Sequence, residues 1–464
     1  MSDQAPAPFI PPSPEEQPME SSAFGVLKGP FFRLFGAQFA SSLGDWIGLL
    51  AILALAQSVS GGTGIGLVMI ARMLPGFVLA PVGGALIDRW DRRKVMVTCD
   101  IGRAILLGVL PFAFFHNLPG LVVISFLIEI LTLMWSPAKD ASVPNIVEAD
   151  QLASANSLGL VAAYATFPLG AALFAALAGL ASWLGNFNAL HFLNANQSSL
   201  AIWADGATFL VSAWLISHLA LPEGDRHAPR RIHWGATYRD IIDGLRFIGS
   251  DPLVRGVMIG LAGGLLGGGS VIPLGPLLST DVLGGGPSGF GLLITALGIG
   301  AALGVLTLLW LQRRLPRATV FTVAVVACGT SIIVAASVSS LLPAMFAAAA
   351  IGATAGTGYV TGFTVLQENV ADEMRGRIFA TLYTVVRLCL LLSLTITPFI
   401  ANLLANIANH LTDGSVDLAG WHIELPGVRL ALWFGGLVTV LSGLAARVLM
   451  RRAQKSTTVS EAST

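Results

Sequence analysis

Charge is what this sequence has least of. Asp, Glu, Lys and Arg make up 11% of its 464 residues, against about 25% in an ordinary soluble domain. Lysine occurs only at Lys28, Lys94, Lys139 and Lys455, and none of these follows a glycine. That excludes the G-x-x-x-x-G-K-[ST] loop that cradles the phosphates of ATP. Neither H-E-x-x-H nor G-x-S-x-G occurs, so the zinc-protease and hydrolase patterns are missing too. His116, His191, His218, His227, His233, His410 and His422 lie between apolar runs or at their edges, without metal-ligand spacing. Cys99, Cys328 and Cys389 sit far apart inside apolar runs; they read as packing residues and imply no disulfide framework. The expectation is a protein that is not an enzyme and has no cofactor and no metal. A pump built on this chain would have to draw on an ion gradient.

What is abundant is apolar sequence, with 54% hydrophobic residues. Twelve runs stand out, at roughly 31–57, 64–87, 94–115, 119–138, 153–183, 199–220, 253–279, 288–311, 318–340, 342–367, 377–404 and 428–449. Each is long enough to cross a hydrocarbon layer of about 30 Å. Backbone in lipid must satisfy its own hydrogen bonds, which leaves helices or a closed barrel. The length of the runs and their lack of two-residue alternation exclude the barrel. The chain is predicted to be an all-α membrane protein with twelve transmembrane helices.

Net charge is zero, but the basic residues are segregated. With twelve spans, Lys28, Arg33, Arg89, Arg92, Arg93, Lys94, Lys139, Arg226, Arg230, Arg313, Arg314, Arg375, Arg377, Arg447 and Arg451 all fall on one side. The opposite loops hold one basic residue, Arg429. Basic loops stay cytoplasmic, so both termini are expected inside the cytoplasmic (inner) membrane. Residues 1–22, rich in Pro and Glu, read as a disordered cytoplasmic tail and not a signal peptide. Residues 221–252 divide the chain into two six-helix bundles, 23–220 and 253–450, followed by a tail at 451–464. Within that linker Trp234, Tyr238, Ile241, Ile242, Leu245, Phe247 and Ile248 are spaced roughly as one face of an amphipathic helix on the membrane surface. A six-plus-six layout suggests two pseudo-symmetric bundles around a path near the midplane. Gly300/Gly304, Gly352/Gly356 and Gly358/Gly362 match close helix packing.

Charge concentrates once, in "GGALIDRWDRRK" at 83–94. Leu34 to Ile87 carry two charges in 54 residues, whereas six of the seven residues from Asp88 to Lys94 are charged. The pattern Gly84, Asp88, Arg89, Arg92, Arg93, Lys94 resembles the signature loop between helices 2 and 3 of the major facilitator superfamily. A mere positive-inside anchor would explain the arginines but not the glycine or the embedded Asp. "SSLGDWIG" (41–48), "ARMLP" (71–75), "CDIGRA" (99–104), "WSPAKDASVP" (135–144), "ADGATFLVSA" (204–213) and "DEMRGRIFATLY" (372–383) follow in order. Together they resemble the macrolide-efflux and enterobactin-exporter branch, over about residues 30–450. One departure is Phe167-Pro168, where drug/proton antiporters often have Gly-Pro. The resemblance implies that Asp88 and its basic neighbours meet the start of helix 11, at Arg375 and Arg377. There they would form a conformational gate that opens when the cavity faces the cytoplasm.

A charge inside the membrane costs about 2.5–3.5 kcal/mol even on lenient scales, so each one needs a reason. Asp45 and Arg72 come out at about 18 Å and about 22 Å from the inner surface and are expected to pair. Asp100 and Arg103 are one turn apart and can pair locally, and Arg103 can also approach Glu129. Asp45 and Glu129 are the proton-coupling candidates, with Arg72, Arg103 and Arg387 as counter-charges; neutralising partners within the bundle are the competing role. Asp205 falls nearer the outer surface and reads as structural. Trp135, Tyr164, Phe167, Phe290, Phe363 and Tyr383 are candidates to line an apolar cavity.

The resemblance and the buried acids together imply a monomeric secondary transporter. It would export amphipathic, drug-like small molecules by alternating access, with protons and membrane lipids as its other partners and no nucleic acid. A siderophore exporter or a lysophospholipid flippase keeps the fold and changes the cargo. A transport-dead receptor or scaffold is the reading from another class, and it would have no need of the buried charges.

Overall fold

The computed structural model describes residues 27, 29–78, 90–113, 117–187, 197–219, 249, 251–311, 315–370, 372–412, 415–418, 421–424 and 426–461. The expected tail at 1–22 and the amphipathic helix of the linker lie outside them. The elements in order are α1 (Pro30–Val78), α2 (Arg92–Ala113), α3 (Leu118–Ser142), α4 (Leu152–Tyr164), α5 (Thr166–Leu184), α6 (Ser199–Ser217), α7 (Pro252–Gly268) and α8 (Val271–Leu277). They continue with α9 (Gly286–Leu311), α10 (Arg317–Ser337), α11 (Leu341–Asn369), α12 (Asp372–Thr412) and α13 (Gly427–Glu461). Strands β1 (Ser415–Leu418) and β2 (Trp421–Glu424) form an antiparallel hairpin between α12 and α13. The apolar-run reading gave no strand there, because the hairpin lies outside every apolar run.

Among the described residues, eleven helices are long and apolar enough to cross a membrane. The first of these is two helices joined at a break. Ser60 and Gly61 leave helical geometry, and Gly61 has φ +54°, a conformation open mainly to glycine. Other boundaries follow local chemistry. Asn117 caps α3 by accepting from Gly120 N at 3.1 Å. Asp251 caps α7 by accepting from Leu253 N (2.8 Å) and Val254 N (3.0 Å), and Pro252 fills the first turn, where its missing N–H costs nothing. The run expected at 253–279 is broken at Gly269–Ser270, and the run at 153–183 at Ala165. The last helix continues to Glu461, through the segment read as a tail.

The buried core shows how the bundles meet. One apolar cluster runs through both halves near the Gly61 end, holding Leu50, Ile65 and Phe174 from the first half with Phe290, Ile332 and Ala401 from the second. At the other end the core divides. Phe31, Met96, Trp135 and Ile216 form a cluster within the first half, and Val257, Phe321, Val365 and Ile378 a separate one within the second. Close packing supports the joined end. Glycine at 291 lets α9 approach the α5 backbone at Ala175, and Gly66 lies under the Phe399 ring of α12. Asn402 Nδ2 donates to Thr63 Oγ1 at 2.9 Å. At the divided end, arginines hold helix C-termini within the first half. Arg33 donates to the His218 carbonyl (2.6 Å) and Arg92 to the Ala141 carbonyl (2.7 Å), where a cation complements the helix dipole.

Candidate functional site

The first half is organised around Arg103 on α2, which is fully buried. Its guanidinium forms an ion pair with Asp100, one turn earlier, and donates to Thr132 Oγ1 on α3 at 3.4 Å. Its Cζ stands 3.9 Å from the Phe209 ring centroid on α6 and 5.6 Å from that of Trp135. The second oxygen of Asp100 accepts from Ser212 Oγ (2.8 Å) and Trp135 Nε1 (3.3 Å). Asp100 is thus fully partnered, as a buried charge must be. Trp135 is 5% exposed and belongs to this hub, not to a cavity wall.

Asp45 reaches the same arginine. Its Oδ1 lies 3.9 Å from Arg103 Nη1, and its side chain stays 32% exposed. This replaces the expected Asp45–Arg72 pair. Counting residues fixes depth, but rotation about the helix axis decides which side chains meet, and α1 turns Asp45 toward α2. Arg72 is half-buried, and no carboxylate of the described residues lies within 4.0 Å of it. It still acts through space on Asp45, Glu129 and Asp205. Glu129 is half-buried, and among the described residues no arginine, the expected Arg103 included, lies within ion-pair distance of it.

Asp205 is the residue that sequence reasoning undervalued. It does not lie nearer the outer surface but level with Asp45, packed against Gly44 and Gly48 on α1. It is 4% exposed, and its Oδ1 has no hydrogen-bond partner. The available signal was the Gly44–Gly48 spacing around Asp45, which leaves room on α1 for a neighbouring side chain.

The second half contributes rings. Tyr359 and Phe363 on α11 have centroids 4.7 Å apart, and Phe363 meets Phe379 (5.7 Å) and Tyr383 (6.1 Å) on α12. Tyr164, from the first half, stands at the break between α4 and α5. Tyr164, Tyr359 and Tyr383 are all exposed. Phe363 and Tyr383 are therefore brought to one place. Phe379 and Tyr359 join them by i,i+4 spacing, a signal present in the sequence. Phe167 packs edge-on against Trp46 at 4.7 Å, and Phe290 is buried against Phe174 at 6.0 Å. Neither stands with the exposed rings.

The expected gate is only partly visible. Gly84, Asp88, Arg89 and the side chains of Arg375 and Arg377 lie outside the described residues. Asp91 Oδ1 accepts from Lys94 N at 3.2 Å and so caps α2, while Arg92 is engaged with α3. Arg93 is half-buried and Lys94 exposed.

Long apolar helices in two groups, joined at one end and parted at the other around buried charges, define a multi-pass membrane transporter. The chain belongs to the Major Facilitator Superfamily, whose family model matches residues 34–394. The putative bacilysin exporter BacE of Bacillus subtilis is 28% identical over 363 residues, 77% of this chain and 85% of that protein. The multidrug efflux pump Tap of Mycolicibacterium fortuitum is 25% identical over 365 residues, 76% of this chain and 84% of that protein. Similarity to the uncharacterised MFS-type transporter YfiS of Bacillus subtilis is higher, at 33% identity, but covers 31% of this chain and 34% of that protein. A crystal structure of a bacterial homologue of the human lysosomal transporter Spinster shares the fold, with a TM-score of 0.64 at 18% identity over 92% of this chain and 98% of that one.

Proposed function

We propose that this protein exports amphipathic small molecules across a bacterial cytoplasmic membrane by alternating access, in exchange for protons. The observation that carries the reading is the divided core: the bundles are packed together at the Gly61 end and stand apart at the other. The break at Gly61, read as dividing α1 into two spans, supports a count of twelve in two pseudo-symmetric six-helix bundles. Basic residues gather at the parted end, so the positive-inside rule sets that end and both termini in the cytoplasm. On this reading the divided core corresponds to an inward-open state. Relatives described as a multidrug efflux pump and a putative exporter favour outward cargo movement.

Proton coupling is supported by a charge imbalance. Within the described spans of the first half, four carboxylates, Asp45, Asp100, Glu129 and Asp205, stand against two arginines, Arg72 and Arg103. Two surplus carboxylates in a buried cluster call for protons or cations. Asp100 is fully bonded and Asp205 is buried away from water, whereas Asp45 and Glu129 are partly exposed, so we assign the exchange to Asp45 and Glu129. The test is ethidium movement into energised inverted vesicles with and without a protonophore. Gradient-dependent accumulation is expected. No accumulation by correctly inserted protein would reject the drug-type cargo and favour a siderophore or a lysophospholipid. Accumulation that is indifferent to the protonophore would reject the coupling.

A further inference from the structure

Arg387 is the one charge of the second half placed deep in a span, ten residues into the run at 377–404. It is exposed, and no described carboxylate lies within ion-pair distance of it. Which way it faces follows from the helix. Leu388, Leu392, Ile396 and Leu403 form an exposed apolar stripe on α12 suited to lipid. Arg387 lies off that stripe. Tyr383, one turn earlier on the same face, is the exposed tyrosine that meets Phe363 and Phe379. Pro398 is eleven residues on, about three turns at 3.6 residues per turn, so it lies on Arg387's face. There its carbonyl and Asn402 receive Gly62 of the first half. The face bearing Tyr383, Arg387 and Pro398 therefore points at the other bundle. It packs where the bundles join and is free where they part.

We infer that Arg387 and the rings of Tyr359, Phe363 and Tyr383 form a subsite for an anionic amphiphile, the guanidinium taking a carboxylate, phosphate or sulfonate while the rings hold the apolar body. An arginine in a membrane interior needs a partner, and its planar fork suits such oxyanions. The acids lie elsewhere: Asp45 and Asp100 meet Arg103, and Asp205 packs against Gly44 and Gly48, all within the first half. The second half thus supplies the guanidinium and the rings, leaving the carboxylates of the first half to the proton. This adds anionic amphiphiles to the cargo range, beside cations such as ethidium that do without Arg387, and rests on the exporter reading above.

The test is equilibrium binding to the purified full-length protein. Carboxyfluorescein, an aromatic carboxylate, is followed by anisotropy, ethidium serves as the cationic control, and unlabelled lysophosphatidylglycerol and lysophosphatidylcholine act as competitors. Arg387→Gln should weaken carboxyfluorescein binding by about tenfold or more, the loss expected for a charge-assisted hydrogen bond, and leave ethidium within about twofold. Arg387→Lys should retain more binding than Arg387→Gln. Displacement by lysophosphatidylglycerol but not lysophosphatidylcholine would identify a lipid headgroup as an occupant, and no displacement would restrict the subsite to soluble aromatic anions. Either result supports the anion subsite. Absence of carboxyfluorescein binding, or equal weakening of both dyes by Arg387→Gln at unchanged melting temperature, would overturn it. If binding is charge-selective but efflux is not gradient-dependent, the subsite stands and the coupling fails.

Discussion

The Asp205 carboxylate of α6 occupies the space that a side chain on Gly48 of α1 would need. Gly48→Ala must push the carboxylate away or part the helices, at a cost of about 1–3 kcal/mol for overpacking. Gly108→Ala, where nothing lies within 4 Å, should be neutral or slightly stabilising. Thermal unfolding in detergent separates the two; equal melting points would mean that the Asp205 contact is not tight.

Arg103 is expected to be the most sensitive position of the first half. Arg103→Met strands the buried Asp100 charge, a loss of about 3–5 kcal/mol. Asp100→Leu combined with Arg103→Met removes both charges and should recover much of it. A double-mutant cycle by denaturant unfolding gives the coupling. Additive losses would show that the pair is not a unit.

The exposed rings should behave oppositely. Tyr164→Ala and Tyr383→Ala remove side chains that are 68% and 52% exposed, so stability should stay within about 0.5 kcal/mol. The ethidium concentration for half-maximal efflux should rise. A melting-point drop with unchanged efflux would place these rings in packing, not in the cavity.

Replacing Asp45 with Asn and Glu129 with Gln together should abolish uphill ethidium transport while leaving passive exchange and expression intact. Survival of protonophore-sensitive accumulation in the double variant would remove the proton from these two groups and leave Asp205 as the carboxylate to test.

Much of this was legible in the sequence. Run length alone located the spans, because lipid forces each backbone to close its own hydrogen bonds. Gly300 and Gly352 were read as packing positions, and they do set α9 against α11, Gly300 facing the Ala349 backbone and Gly352 that of Leu297. The Asp100–Arg103 pair followed from one helical turn of spacing. Pairings between helices were not legible in the same way. Asp45 and Arg72 agree in depth, yet α1 directs Asp45 at Arg103, because helix rotation is set by packing against several neighbours at once. Trp135 fits core and cavity equally by its apolar size; its indole N–H donates to Asp100 and places it in the core. Asp205 looked incidental because its setting is made by two glycines on another helix.

The most direct test of alternating access is to lock the joined end. In a background with Cys99, Cys328 and Cys389 replaced, Thr63→Cys and Asn402→Cys put thiols where two side chains now share a 2.9 Å hydrogen bond. A short, reversible bifunctional thiosulfonate should then link the two bundles. The account predicts that ethidium transport stops when the link forms and returns when it is reduced. Undiminished transport with the link complete would show that cargo crosses without the bundles parting at Gly61, and would contradict it.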